Sequence, residues 1–444
     1  MGGTPETRYA RYGDQYLAYQ VVGDNGPDRL LVPNATFPID LMWDEPDVAA
    51  CLRRLASFSR LILTDHLGTG ASDAIALHEN PAMQVWTDGL LAVLDSVRSE
   101  SASVFGIHGA GLPSMMLAAS HPNRVRSLLL WSAFARLVSD LDQPFGIPKA
   151  SVPRYVKRFA ETVGTGAAID LLAPSWAGDA AKKQWWARCE RLACGPGEWK
   201  AGVDLWLRVD VGPILASIQA PTLLMRRRGD RDVRREHAVD LAERIANARL
   251  IEFPGDDSIW FAGDTDPVVD EIESFLTGTR TAAPSNRVLA TVLFTDIVGS
   301  TERATQLGDS AWAAALVRHD RLVERHVAAA RGVVVKSTGD GVLATFDGPA
   351  RAVECAGAIR DAVEDLGLSI RAGLHTGEVE LVDGDVHGIA VHIAARIMAL
   401  AGSGEVLVSG VIPPLVLGSR LCFTDRGEQE LKGVPGFWRV LAVD

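Results

Sequence analysis

Between residues 16 and 276, short apolar runs alternate with amphipathic stretches along the chain. Six runs have the length and continuous hydrophobicity of strands that are buried on both faces of a parallel sheet. They are RLLVPN, RLILTDHLG, SVFGIHG, RSLLLWS, PTLLMRR and ARLIEFPG. The intervening segments PAMQVWTDGLLAVLDSV and EHAVDLAERIA have helical periodicity. This alternation predicts a doubly wound α/β domain over residues 1–278.

A different composition interrupts the alternation between residues 143 and 212, where the surroundings are helical. The segment contains Trp176, Trp185, Trp186, Trp199 and Trp206. Two interpretations stay open. The segment forms an aromatic-lined lid over a ligand pocket, or it is a helical insertion that uses tryptophan for ordinary packing.

Residues 279–286 are small and polar with one proline, which is typical of a linker. The strand-like run VLATVLFTDIV then begins a second domain, 287–444, and ends close to Asp296. Asp340 lies between the two apolar runs of VVVKSTGDGVLATF, which is a hairpin signal. Alone, Asp340 is equally typical of a turn. Together, two carboxylates at the ends of neighbouring strands suit a hard divalent cation.

The bulk composition excludes some classes of function. A formal net charge of −12 argues against a nucleic-acid partner, because affinity for phosphate backbones comes from clustered Lys and Arg. The five cysteines are scattered and form no CxxC pair, which favours a reducing compartment. No signal-peptide pattern and no membrane span are found, so we expect a soluble, cytoplasmic protein.

Four motifs of the second domain occur together: FTDIVGST, KSTGDG, RAGLHTGEV and GDVHGIAVHIAARI. From about residue 287 to 444 the chain resembles the class III adenylate/guanylate cyclase family. The resemblance implies an α+β, ferredoxin-like fold and a homodimer with two composite sites. It also implies two divalent metal ions per site, Mg²⁺ or Mn²⁺, held by Asp296, Asp340 and the carbonyl of Ile297.

The same resemblance assigns the remaining site residues. Lys336 and Asp385 match the pair that selects the base, and a donor beside an acceptor complements adenine, so ATP is the expected substrate. Arg396 matches the arginine that stabilises charge in the transition state. His392, four residues earlier on the same helical face, stands where the family usually has Asn. Lys432, in ELKGVPGFW, matches a Lys-Gly turn near the triphosphate.

The first domain resembles the α/β-hydrolase fold over about residues 7 to 277, through TDHLGTGASD and SVFGIHGAGLPSMMLAASHP. In the G-x-S-x-G pattern, His108 stands in place of the nucleophilic serine. Asp230 matches the acid, with Asp232 as the weaker candidate, and Ser258 stands where the histidine is expected. We therefore expect a catalytically silent domain that either senses a small apolar ligand or supports dimerisation.

The sequence thus predicts an adenylate cyclase that forms 3′,5′-cyclic AMP and pyrophosphate, joined to a regulatory pseudo-hydrolase domain. The first alternative is a nucleotide-binding sensor with little or no turnover, which His392 favours. The second is a hydrolase in which His108 and Ser258 exchange roles, with Ser258 as the nucleophile and His108 as the base.

Overall fold

The computed structural model forms two compact units, residues 1–285 and 286–444. The predicted linker 279–286 lies outside the described residues. The structure describes residues 4–24, 26–77, 81–141, 143–278, 287–337, 339–382 and 385–444.

The first unit is built around one mixed sheet. Its strands are β1 (Arg8–Tyr12), β2 (Gln15–Val22), β3 (Asp28–Val32), β4 (Arg60–Thr64), β5 (Ala102–Ile107), β6 (Val125–Trp131), β7 (Thr222–Arg227) and β8 (Ala248–Phe253). Within the described residues the strand order is β1-β2-β4-β3-β5-β6-β7-β8. Strands β3 to β8 are the six predicted runs, and they pair in parallel. The antiparallel strands β1 and β2 extend the sheet beyond the prediction.

Helices cover both faces of this sheet, so β5 is buried along its whole length. The helices are α1 (Pro46–Ser57), α2 (Ala82–Ser96), α3 (Gly111–Ser120), α4 (Val152–Thr162), α5 (Ile169–Leu172), α6 (Ala180–Ala193), α7 (Pro196–Arg208), α8 (Arg235–Arg244) and α9 (Asp266–Gly278). A continuous apolar strand is stable only when both faces are covered, which this arrangement provides.

Helices α4 to α7 form the insertion between β6 and β7, and its tryptophans mostly pack into the interior. Trp176, Trp185 and Trp186 belong to the main hydrophobic core of the unit. The Phe37 ring stacks on Trp185 at 5.5 Å and meets the edge of Trp186 at 4.9 Å. Trp199 is also buried. The structure therefore favours the packing interpretation for these four side chains.

The second unit contains a separate sheet with helices. Its strands are β9 (Arg287–Ile297), β10 (Val333–Ser337), β11 (Gly341–Phe346), β12 (Ile370–Val382), β13 (Asp385–His387), β14 (Val406–Ser409), β15 (Phe423–Glu430) and β16 (Phe437–Val443). Its helices are α10 (Ser300–Leu307), α11 (Asp309–Ala329), α12 (Pro349–Glu364), α13 (Ile389–Leu400) and α14 (Ile412–Leu415).

Among the described residues of this unit, the strand order is β10-β11-β9-β12-β14-β16-β15, and β13 pairs with β12. The first four of these strands, with α11 and α12, form the expected βαββαβ core. Strands β14 to β16 extend it at the C-terminal side. The predicted hairpin of β10 and β11 is confirmed by their antiparallel pairing.

Helix α13 packs unusually close to the sheet because β12 carries glycine at the points of contact. A Cβ atom at Gly373 would lie 2.1 Å from the backbone nitrogen of Met398 on α13. A Cβ atom at Gly377 would lie 3.0 Å from the Cβ of Ala390. The two glycines therefore set the position of α13 and of the polar side chains it carries.

No helix in the described parts of the chain is both long and apolar enough to cross a membrane.

Candidate active site

Asp296 and Asp340 lie next to each other at one end of the antiparallel strands β9 and β11. Asp296 pairs in register with Gly341, the residue that follows Asp340. The Ile297 amide also donates to the Asp340 carbonyl at 2.9 Å. Both aspartate side chains are half-buried. Two carboxylates and a nearby backbone carbonyl are oxygen donors of the kind that Mg²⁺ and Mn²⁺ prefer, so these residues fit the implied metal ions.

Lys336 and Asp385 form a direct ion pair. The Lys336 ammonium donates to both carboxylate oxygens of Asp385, at 2.8 and 2.6 Å. The hydrogen bond from Lys336, together with one from the Val386 amide, holds the pKa of Asp385 below its usual range. A cationic donor and an anionic acceptor therefore stand side by side on a partly exposed surface.

Helix α13 carries His392 and Arg396 on its exposed side. The Arg396 guanidinium donates through Nε to the backbone carbonyl of Lys432 at 3.0 Å. This bond brings the predicted Lys-Gly turn against α13, but it uses the main chain of Lys432 and does not position its ammonium group.

These groups share one face of the sheet. Lys336 lies opposite Leu343, and Leu343 lies opposite Phe294, which is two residues before Asp296. Residues paired across strands, and residues two apart along a strand, point to the same side. Gly373, where α13 packs, is also paired with Phe294. Lys336, Asp296 and α13 therefore lie on the same side of the sheet.

The three groups nevertheless remain separate within one chain. Within the described residues, no hydrogen bond or ion pair joins the metal-site carboxylates, the Lys336–Asp385 pair and the α13 residues to one another.

In the first unit, the three predicted triad positions meet at the carboxyl edge of the sheet. His108 follows β5 with φ of +50°, a left-handed conformation that is strained for a residue with a side chain. Ser258 Oγ lies 3.0 Å from His108 Nε2 and donates to Asp230 Oδ2 at 3.1 Å. The Ser258 side chain is fully buried.

The Asp230 carboxylate accepts several hydrogen bonds. Its carboxylate also accepts from the Ser132 hydroxyl at 2.7 Å and from the Asp232 amide at 2.9 Å. Burial raises the pKa of Asp232 to about 6, with a further contribution from the charge of Asp230. The Ser258 hydroxyl donates to Asp230, so Asp230 is the acid that contacts Ser258.

Comparison with known proteins gives different relatives for different parts of the chain. No protein-family model matches it. "Putative adenylate cyclase 3" of Rhizobium meliloti is 36% identical over 157 residues, which cover 33% of this chain and 27% of that protein. "Putative carbamate hydrolase RutD" of Azorhizobium caulinodans is 29% identical over 250 residues, which cover 55% of this chain and 88% of that protein.

Among solved structures, an esterase from Exiguobacterium antarcticum covers 61% of this chain and 99% of its own, with a TM-score of 0.54. At 17% identity it shows the fold alone. The chain joins an α/β-hydrolase-like unit to a class III cyclase-like unit. The cyclase relative is matched over only about a quarter of its length.

Two residues of the cyclase-like unit were not predicted as part of the site. The Arg371 guanidinium donates to Asp296 Oδ2 through Nε at 2.8 Å and through Nη2 at 2.5 Å. The Ser300 hydroxyl donates to Asp340 Oδ2. Arg371 and Ser300 lie in the motifs RAGLHTGEV and FTDIVGST, but the motifs do not show their contacts with the two aspartates; the register pairs Arg371 with Asp296.

In the hydrolase-like unit, hydrogen bonds determine which nitrogen of His108 carries the proton. Asn34 Oδ1 accepts from the Thr36 amide at 3.1 Å, so Asn34 Nδ2 faces His108 Nδ1 at 3.2 Å and donates to it. His108 Nδ1 is thus an acceptor, and the proton is on Nε2. Nε2 then donates to the Ser258 carbonyl at 2.9 Å.

This arrangement does not suit the exchanged Ser258–His108 pair. A protonated Nε2 cannot accept the Ser258 proton, and the Ser258 hydroxyl donates to Asp230 instead. Trp206 packs against the backbone next to His108, since a Cβ at Gly109 would lie 3.0 Å from the indole Nε1. The polar groups at this position satisfy one another and leave no activated nucleophile.

Proposed function

We propose that the cyclase-like unit is an adenylate cyclase that converts ATP to 3′,5′-cyclic AMP and pyrophosphate as a homodimer. The observation that carries the proposal is the proximity of Asp296 and Asp340 on the sheet face that also bears the Lys336–Asp385 pair. The cyclase relative, which is similar over 157 residues, supports the same reaction class.

In this reaction the ribose 3′-oxygen forms a bond to the α-phosphorus, the bond from that phosphorus to pyrophosphate breaks, and the hydroxyl proton is released. Asp296, Asp340 and the Ile297 carbonyl would hold two divalent ions, which supply activation of the hydroxyl and neutralisation of phosphate charge. Arg396 would stabilise negative charge on the reacting phosphate with a permanently charged guanidinium.

The Lys336–Asp385 pair accounts for the choice of ATP. Adenine presents an acceptor at N1 beside a donor amine at N6, and guanine presents the opposite pattern at those atoms. Lys336 can only donate and the ionised Asp385 can only accept. The pair therefore complements adenine and opposes guanine.

A homodimer would complete the site, since the groups that the reaction needs remain separate in one chain. Apolar side chains beside these groups support an intermolecular surface. Ile389, at the start of α13, is 55% exposed, and Leu381 and Val382, shortly before Asp385, are also exposed. Association through this region would remove exposed apolar side chains from water.

The test is product formation by the purified full-length chain. ATP with Mn²⁺ or Mg²⁺ is expected to give cyclic AMP, GTP is expected to give far less product, and Asp296→Ala is expected to abolish turnover. Cyclic nucleotide formation that survives in Asp296→Ala would refute the assignment of the metal site.

We propose further that the hydrolase-like unit has no hydrolase activity and acts as a ligand sensor or scaffold. The proton position on His108 and the full burial of Ser258 support this proposal. Wild type and Ser258→Ala are expected to hydrolyse short-chain p-nitrophenyl esters equally poorly. Turnover that is lost only in Ser258→Ala would restore the exchanged Ser258–His108 pair as a nucleophilic centre.

His392 favours a second candidate function, a nucleotide sensor without turnover. An imidazole is bulkier than the amide that the cyclase family usually has at this position, and its ring nitrogens donate and accept with a different geometry. Nucleotide binding without cyclic product, in a folded and dimeric protein, would favour the sensor.

A further inference from the structure

Arg371 and Asp296 form the most direct contact at the proposed metal site. They are paired in register on β12 and β9, so their side chains project from the same face of the sheet. Both guanidinium bonds go to a single oxygen, Asp296 Oδ2. The Asp296 carboxylate is 19% exposed and the Arg371 side chain 36% exposed, so the arginine is the more accessible of the two and can turn towards solvent.

We propose that Arg371 competes with a divalent cation for Asp296, and that Arg371 thereby sets how tightly the metal binds. The inference rests on the proposed metal role of Asp296. Both bonds use Oδ2, so a divalent ion on either oxygen of this carboxylate would lie a few ångströms from the guanidinium charge and be repelled by it until Arg371 moves away. The arginine is therefore a counter-ion that metal displaces.

The second carboxylate, Asp340, has an uncharged hydrogen-bond partner. Asp340 Oδ2 accepts from the neutral hydroxyl of Ser300, and a hydroxyl can remain beside a carboxylate that also binds a metal ion. Of the two carboxylates, therefore, only Asp296 has, among the residues that the structure describes, a cationic side chain that competes with a divalent ion. A different role for Arg371 would be to orient Asp296 for the metal, and this role predicts the opposite effect of removing the guanidinium.

The experiment measures Mn²⁺ binding to the full-length chain without nucleotide, from the free-Mn²⁺ signal in electron paramagnetic resonance. Arg371→Met is expected to bind Mn²⁺ roughly tenfold more tightly, because it removes a unit charge a few ångströms from a divalent ion. Arg371→Lys, which keeps the charge, is expected to stay near wild type. Asp296→Ala identifies which part of the signal comes from this site.

Arg351→Met is the matched control. Arg351 forms a half-buried ion pair with Asp347 at 2.5 Å. Asp347 follows the far end of β11, roughly 20 Å along the strand from Asp340. That separation exceeds the screening length of about 10 Å at ordinary salt, so the control should leave Mn²⁺ affinity unchanged.

Unchanged or weaker Mn²⁺ binding in Arg371→Met would overturn the inference, and weaker binding would assign Arg371 the orienting role. Arg371→Gln, which retains polarity and much of the length, provides the same test if the methionine variant does not fold. If wild type and Asp296→Ala bind Mn²⁺ equally, or neither binds it, the proposed metal site fails together with the inference. Tight wild-type binding without the Arg371 effect would leave the proposed function intact.

Discussion

Gly373→Ala would test whether close packing of α13 positions the catalytic side chains. The added Cβ would lie 2.1 Å from the Met398 nitrogen and 2.5 Å from its Cα, which are backbone atoms that cannot rotate away. Relief requires α13 to move by roughly 1 to 1.5 Å to reach ordinary contact distance. Arg396 lies two residues before Met398 on the same helix and must move with it.

The expected magnitudes follow from that displacement. Misplacing a catalytic group by about 1 Å costs on the order of 100-fold in rate, so cyclic AMP turnover should fall by about that factor. Forced overpacking costs about 3 kcal/mol at a rigid site, which corresponds to a Tm roughly 10 °C lower for a unit of this size. Turnover is measured at saturating ATP, and the Tm by calorimetry.

Gly357→Ala is the matched control. Gly357 lies inside α12, and a Cβ there would meet no atom within 4 Å. Alanine is favoured over glycine in a helix by up to about 1 kcal/mol, so this variant should be as stable as wild type or slightly more stable, and fully active. A Gly373→Ala variant that matches Gly357→Ala in both turnover and Tm would refute the argument about α13.

Two further outcomes are expected. Burial lowers the pKa of His375 to about 4, while an unfolded histidine titrates near 6.5, so its contribution to stability is complete above pH 6.5 and is lost as the pH falls from 6.5 towards 4. The loss in the free energy of unfolding approaches about 3 kcal/mol. The difference between wild type and His375→Gln in the pH dependence of that free energy should isolate it. An identical pH dependence in both proteins would contradict the burial argument. Lys336→Met should raise the KM for ATP and reduce the preference for ATP over GTP by roughly 10- to 100-fold, because it removes the donor to adenine N1. An unchanged preference in competition assays would place base selection elsewhere.

The central strands of the hydrolase-like unit could be predicted because burial on both faces leaves a continuous apolar signature. Strands β3 to β7 have that signature, whereas β8 at the sheet edge is only partly buried. Strands β1 and β2 lack the signature, since the edge segments RYARY and QYLAYQVV mix aromatic, charged and apolar residues without strict alternation. Strand β2 joins the sheet by pairing with β4, and β1 joins it by pairing with β2; the β2–β4 contact is long-range and no local sequence pattern predicts it.

Residues of the site could be predicted where they lie in motifs that resemble those of the cyclase family. Asp296 and Asp340 lie together, and Lys336 reaches Asp385 across 49 positions of sequence. Arg371 lies in one of these motifs, RAGLHTGEV, but its contact with Asp296 follows from the strand register, which the motif does not show. The proton position on His108 likewise depends on Asn34, which is 74 residues away along the chain.

The central claim, a composite adenylate cyclase, is tested most directly by mixing two variants that are defective in opposite halves of the site. Asp296→Ala lacks a metal ligand, and the double variant Lys336→Ala, Asp385→Ala lacks the base-selecting pair. Each alone should form no cyclic AMP from ATP. An equimolar mixture after subunit exchange should recover about a quarter of wild-type turnover, because half of the dimers are mixed and each of these has one intact site. No cyclic AMP from wild type would contradict the cyclase assignment, and an active wild type with an inactive mixture would contradict the composite site.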